Sequence, residues 1–196
     1  MSEAVPLIVS QTDTQRVFVG LGWDPNASPT LKDKIGSFIG SRDAHHDLDL
    51  SCYYFNKDGA CLGFVGADPE HNSNPSHSIY HSGDSVEGIG DGDDEQISVE
   101  LAHLPPNIEQ LIFKASIKSG HSFHEVTAPE IRFCDGYTER SFVESSLDQG
   151  ENTNDVYLFI SIEKNGDSWA YREINRFHQS TGTEIWEDEL LALTNP

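Results

Sequence analysis

Asp47-Leu48-Asp49-Leu50-Ser51-Cys52-Tyr53-Tyr54-Phe55 alternates with a period of two. Leu48, Leu50, Cys52 and Tyr54 fall on one face, and Asp47, Asp49 and Ser51 on the other, which is the pattern of a strand and not of a helix. Asn56-Lys57-Asp58-Gly59 follows, and Asp-Gly is a hairpin-turn pair, so the chain is expected to fold back through Ala60–Val65. Working outward, Arg16–Trp23, Ser78–His81, Gln96–Leu101, Gln110–Ile117, Glu130–Cys134, Tyr137–Val143, Asp155–Glu163 and Ser168–Ile174 read as further strands. The last two flank Asn165-Gly166, a second hairpin signal. Phe123–Thr127 fits either a short helix or a strand, Lys32–His46 is a polar connection without a pattern, and helical periodicity is confined to Thr183–Leu193. Many short strands separated by turn residues predict an all-β fold of antiparallel strands, a β-sandwich or barrel, with few short helices. No Pro/Ser-rich linker divides the strands, so residues 1–196 are expected to form one domain, with a core over about 15–178 and a tail over about 179–196.

Between two of these strands lies Gly83-Asp84-Ser85-Val86-Glu87-Gly88-Ile89-Gly90-Asp91-Gly92-Asp93-Asp94-Glu95, with six carboxylates, four glycines and no Lys or Arg in thirteen residues. Glycines let a backbone turn sharply, and carboxylates supply the hard oxygens that Ca²⁺ takes six to eight at a time. Two like charges about 4 Å apart repel by about 1 kcal/mol in water and about 4 kcal/mol at an effective dielectric of 20, so a converged loop of this composition needs a cation. The stretch is not an EF-hand: counted from Asp84, the third and fifth positions are Val86 and Gly88, and the sixth is Ile89 where that motif requires Gly. Counted from Asp47, Cys52 takes the glycine position. Asp47 and Asp49, two residues apart on a strand, point the same way, as two ligands of one site should; Asp is otherwise depleted in strands.

Gly20-Leu21-Gly22-Trp23-Asp24, Asp47-Leu48-Asp49-Leu50-Ser51, His81-Ser82-Gly83-Asp84 and Gly88-Ile89-Gly90-Asp91-Gly92-Asp93-Asp94-Glu95-Gln96-Ile97, in that order, resemble the TerD family of bacterial tellurium-resistance and stress-response proteins. The resemblance runs from about Val17 to about Ile174. It implies a β-sandwich that binds calcium through acidic loops and has no established catalytic reaction. On this chain it implies metal ligands at Asp47 and Asp49 from a strand, and at Asp84, Asp91, Asp93, Asp94 and Glu95 from the loop. A backbone oxygen near Gly88 would join them, and the set would hold two Ca²⁺ ions. Asp24, after the Gly-Trp pair, is a further candidate with a structural role at a strand end as its alternative. The chain departs from the family pattern at Glu3–Thr14, at His46, in the Pro- and His-rich loop Asp68–His77, and in Ser119–Pro129.

A formal charge of -21, from 33 acidic and 12 basic residues, argues against direct binding to nucleic acid or anionic membranes, which rests on Lys and Arg. No apolar run approaches the ~20 residues of a membrane-spanning helix, and the N-terminus lacks the basic and apolar regions of a signal peptide. Three cysteines are an odd number without metal-ligand spacing, which fits reduced thiols in the cytoplasm. Among nine histidines, His77 and His81 would lie roughly 13 Å apart along a strand, His45 and His46 would face opposite sides, and His121 and His124 would meet only on a helix, so zinc is disfavoured.

Two other functions remain to be weighed against a calcium-binding, non-catalytic protein acting with other proteins of a stress response. A carboxylate-based hydrolase needs one carboxyl held neutral in an apolar pocket, which a crowded acidic loop does not offer. An acidic interaction module without a specific metal would spread its carboxylates over a face, whereas here they concentrate around two motifs.

Overall fold

Every residue of β3 (Leu48–Phe55) is buried, which an alternating strand achieves only when both of its faces are covered. The structure is a computed structural model, and it describes residues 2–24, 47–82, 92–117, 121–148, 154–182, 184 and 186–194. The polar connection at 32–46 lies outside these residues. On its inner face β3 sends Leu48, Leu50, Cys52 and Tyr54 into a core shared with Val17, Val19, Leu21 and Trp23 of β2 (Arg16–Asp24) and Ile97 and Val99 of β6 (Glu95–Glu100). On its outer face Tyr53 and Phe55 join a second apolar cluster beneath α1 (Trp186–Thr194).

These strands belong to two antiparallel sheets. The remaining strands are β1 (Val5–Pro6), β4 (Cys61–Val65), β5 (Ile79–His81), β7 (Gln110–Ile117), β8 (Thr127–Asp135), β9 (Ser141–Ser146), β10 (Val156–Asn165) and β11 (Ser168–His178). One sheet runs β1-β11-β10-β7-β3-β4 and the other β5-β6-β2-β8-β9. Face-to-face packing of the two makes the β-sandwich.

In β10 the residues from Val156 to Ile162 are all buried, because both faces are covered and Val156 and Leu158 lie in the cluster beneath α1. A register shift between Leu158 and Ile160 explains why the adjacent Phe159 and Ile160 both face the core. Tyr157 and Phe159 face the core, the irregularity flips the parity, and Ile160 and Ile162 then face the core as well.

The turns follow the sequence with two adjustments. Asn56 N–H donates to Ala60 O at 3.0 Å around Lys57-Asp58-Gly59, where Gly59 has φ +79°. That left-handed conformation is what the Asp-Gly pair supplies in a three-residue hairpin loop. The second hairpin pairs Asn165 with Ser168, so its two turn residues are Gly166-Asp167, one position later than Asn165-Gly166. The strand expected from Tyr137 begins only at Ser141, because Asp135 organises residues 136–139 into a turn: its carboxylate accepts from the backbone N–H of Tyr137 and Thr138 at 3.0 and 2.9 Å. The same carboxylate accepts from Ser10 N–H at 2.6 Å, which ties the N-terminal segment to β8. That segment adds β1 to the edge of a sheet and buries Leu7 and Val9, a contribution its sequence did not announce. Phe123–Glu125 resolves as a short 3-10 turn.

Helix α1 lies on the outer face of the six-stranded sheet. Leu190 is fully buried there among Phe55, Ile112, Leu158 and Ile174, and the Lys114 ammonium sits 4.5 Å from the Trp186 ring centroid. Glu187, Asp188 and Glu189 occupy its first turn, where negative charge complements the helix dipole. No helix among the described residues is long and apolar enough to cross a membrane.

Candidate metal centre

The inward face of β6 reads Glu95, Ile97, Val99, so period-two alternation sends the Glu95 carboxylate between the two sheets. There it meets one edge of β3. Among the described residues, β4 pairs only with Cys52–Phe55, which leaves the Leu50 N–H without a strand neighbour on that side. Glu95 Oε2 supplies the acceptor at 2.7 Å. His81, on the edge strand β5, places Nε2 3.3 Å from the same oxygen, and both side chains are 0% exposed.

Glu95 Oε1 is buried and accepts no hydrogen bond from the described residues. Leaving a buried carboxylate oxygen unsatisfied costs free energy, so such an atom asks for an explanation, a bound ion among them. Asp47 Oδ1 and Asp49 Oδ2 are buried as well, and both aspartates make other interactions. Burial pushes the Glu95 carboxyl above its ordinary value and the charge of Asp49 adds to this, while the contacts from His81 and Leu50 N–H pull the other way. The electrostatic influence of Asp49 on Glu95 places those two carboxylates in one neighbourhood.

A second group of carboxylates gathers on the other side of β6. Asp94 N–H donates to Leu21 O at 2.9 Å, and Trp23 N–H donates back to Asp94 Oδ2 at 2.9 Å. Burial raises the pKa of Asp94 despite the bond from Trp23, and the charges of Asp93 and Asp24 raise it further. Asp24 itself is exposed at the end of β2. Asp93 is held in a two-pronged ion pair by Arg132 of β8, with Nε to Oδ1 at 2.7 Å and Nη2 to Oδ2 at 2.9 Å.

Thus Glu95 reaches the edge of β3 from between the sheets and feels the charge of Asp49, which shares the outer face of β3 with Tyr53 and Phe55, while Asp24, Asp93 and Asp94 gather at the β2–β6 border. Asp84, Gly88 and Asp91 lie outside the described residues. No group of three or more His, Cys, Asp or Glu converges as a complete metal cage among the described residues. The donors that are described are carboxylate oxygens, several of them desolvated, and this chemistry suits a hard divalent cation such as Ca²⁺ better than zinc.

Among the described residues the histidines do not make a competing site. His77 is exposed in a turn and bonded to Ser73 Oγ at 2.7 Å, His81 is buried on Glu95, and His121 pairs with Glu125 at 3.5 Å. His45 and His46 lie outside the described residues.

Arg132 was not singled out from the sequence. Its outward position on β8 is legible from its inward neighbours Ile131 and Phe133, but its pairing with Asp93 depends on register between strands far apart in the chain. Beside it, a half-open depression of about 670 Å³ on the outer face of the five-stranded sheet is lined by Trp23, Asp24, Asp93, Glu130, Arg132 and Glu144, among others.

Fold and site together define an acidic β-sandwich in which residues 93–95, the end of the Gly- and Asp-rich stretch, are held by Arg132, β2 and β3 in turn. The TerD domain model matches residues 2–181, and the chain belongs to the TerD family. It is 29% identical over 184 residues to tellurium resistance protein TerZ of Serratia marcescens, covering 94% of this chain and 90% of that protein. It is 25% identical over 193 residues to general stress protein 16U of Bacillus subtilis, covering 95% and 93%. A crystal structure of a homologue of telluride resistance protein (TerD) from Streptomyces coelicolor A3(2) superposes with a TM-score of 0.68 at 24% identity, over 85% of this chain and 92% of that one, and so shares its fold. Helix α1 lies beyond the residues that the family model matches.

Proposed function

We propose that this protein is a non-catalytic, cytoplasmic Ca²⁺-binding protein of the tellurium-resistance and stress-response type. In this reading Asp47 and Asp49 supply oxygens from the start of β3, and Glu95 supplies its own from the seam between the sheets. Asp84, Asp91, Asp94 and a backbone oxygen near Gly88 supply the rest, and Asp24 stands at the rim. The donors suffice for two ions. Bound Ca²⁺ offsets the repulsion among these carboxylates and orders the acidic stretch, which then offers a surface to another protein of the stress response. The names of the relatives support the stress-response part of the proposal, and the buried, unsatisfied Glu95 Oε1 beside Asp49 supports the metal part.

The test is calorimetric titration of EDTA-treated protein with Ca²⁺, followed by thermal melts with and without the ion. A ligand that binds only the folded state stabilises it by about 2.7 kcal/mol at a hundredfold excess over Kd. Saturable binding with a rise in Tm is expected. No heat and no shift at millimolar Ca²⁺ would leave the acidic interaction module as the better reading.

A further inference from the structure

On β2, Val19, Leu21 and Trp23 face the core, so Phe18, Gly20 and Gly22 face outward. A Cβ on Gly20 would lie 2.2 Å from the Asp93 Cγ, and one on Gly22 would lie 2.8 Å from the Gly92 carbonyl oxygen. Both distances are shorter than any real Cβ contact. Residues 92–93 therefore lie across the outer face of β2, in space that only two side-chain-free positions leave open.

The floor of this socket is completed from β8. Gly20 is the register partner of Arg132, and the guanidinium sits 5.4 Å from the Phe18 ring centroid while its fork grips both oxygens of Asp93. A guanidinium fixed between an aromatic face and a carboxylate keeps little freedom, so the pair has a defined geometry that a lysine would not reproduce. The Asp93 side chain is only 14% exposed, and both its oxygens are taken by Arg132. The next residue, Asp94, is locked to β2 by its reciprocal bonds with Leu21 and Trp23, and the one after, Glu95, enters the seam.

We infer that Arg132, with Gly20 and Gly22, is a positioning element that seats Asp93 as an anchor rather than as a metal ligand. The anchor fixes where Asp94 and Glu95 present their oxygens and from where the preceding acidic stretch departs. This assignment rests on the calcium reading for its functional effect. It separates the carboxylates of residues 93–95 into one that holds the chain and two that face the cation.

The test uses the full-length chain with Arg132→Gln, Gly20→Ala and Asp93→Asn, singly and as the Arg132→Gln/Asp93→Asn pair. The first readout needs no metal: amide hydrogen exchange in EDTA. An anchor predicts exchange at Asp94 and Trp23 at least about tenfold faster in Arg132→Gln and Gly20→Ala, with core amides of β10 such as Phe159 unchanged. Unchanged exchange at Asp94 and Trp23, or equal acceleration throughout the sandwich, overturns the assignment.

The second readout is Ca²⁺ affinity by calorimetry. Residues that orient metal ligands typically change affinity 10–100-fold when replaced. Arg132→Gln and Asp93→Asn are expected each to weaken binding within that range and to do no more together than apart, with Arg132→Lys between them and the parent. If Asp93 is itself a ligand, Arg132→Gln frees it, affinity holds or rises, and the assignment fails. Should the parent protein not bind Ca²⁺ at all, the calcium reading falls, and exchange at Asp94 and Trp23 alone decides the anchor.

Discussion

Leu50 on one sheet and Glu95 on the other are joined by a 2.7 Å hydrogen bond from the Leu50 N–H to Glu95 Oε2, across the seam of the sandwich. The bond does two things. It caps a stretch of strand edge that β4 does not reach, and it holds a second carboxylate oxygen buried beside Asp49.

Two substitutions at this position separate those roles. Glu95→Gln keeps an acceptor for Leu50 and removes a desolvated charge, so urea unfolding in EDTA is expected to show no loss of stability, while Ca²⁺ affinity falls at least about tenfold, the effect of losing one ligand. Glu95→Ala leaves the Leu50 N–H buried without an acceptor, at a cost of about 1–3 kcal/mol. Equal destabilisation by both substitutions would show that the charge itself supports the fold.

Asp94 gives a parallel case at the β2–β6 border. Asp94→Asn retains an oxygen for the Trp23 N–H and loses the charge, so the far-UV β-sheet spectrum is expected to persist while Ca²⁺ binding weakens. Unchanged affinity by calorimetry would remove Asp94 from the ligand set.

The Asp135 carboxylate sets a pH dependence of its own. Burial works against its charge, yet the N–H groups of Thr138, Ser10 and Tyr137 and the Thr138 hydroxyl outweigh it and hold its pKa well below the ordinary 3.8. A depressed folded-state pKa means that the unfolded chain takes up the proton first, so this group stabilises the fold above pH 3.8 and loses that contribution as pH falls below it. Asp135→Asn is expected to cost about 2 kcal/mol at pH 7, the scale of hydrogen bonds to a charged group. The gap between parent and variant should close on titration below the ordinary carboxylate range. A gap independent of pH from 7 to 2 would refute the charge-based account.

Leu190 tests the helix. Leu190→Ala removes a fully buried side chain and is expected to cost about 2–5 kcal/mol in urea unfolding. A loss below about 1 kcal/mol would mean that the helix is not held where it is described.

The sequence made some of this legible for definite reasons. Period-two alternation in residues 47–55 and 96–101 reveals strands and their core-facing sides, because one face of each is apolar. Extending that alternation one residue back already points Glu95 inward. Residues 156–162 give no such signal, since both faces of β10 are covered and the bulge that turns Phe159 and Ile160 to one side is a tertiary accommodation. Strand β1 is too short to carry a period at all. Gly20 and Gly22 read as members of a motif, whereas their service as a seat for Asp93 emerges only when β2 and β8 are in register. Asp49 is buried by neighbours that no local pattern identifies, while Asp47, one residue before β3, is only half-buried.

Helix α1 carries a consequence for comparison among homologues. It buries an apolar patch formed by Tyr53, Phe55, Ile112 and Leu158, yet lies past residue 181, where the match to the family model stops. A homologue that lacks this helix would leave the patch bare to solvent, so substitutions at those four positions and possession of the helix should covary: polar side chains where the helix is missing, apolar ones where it is kept.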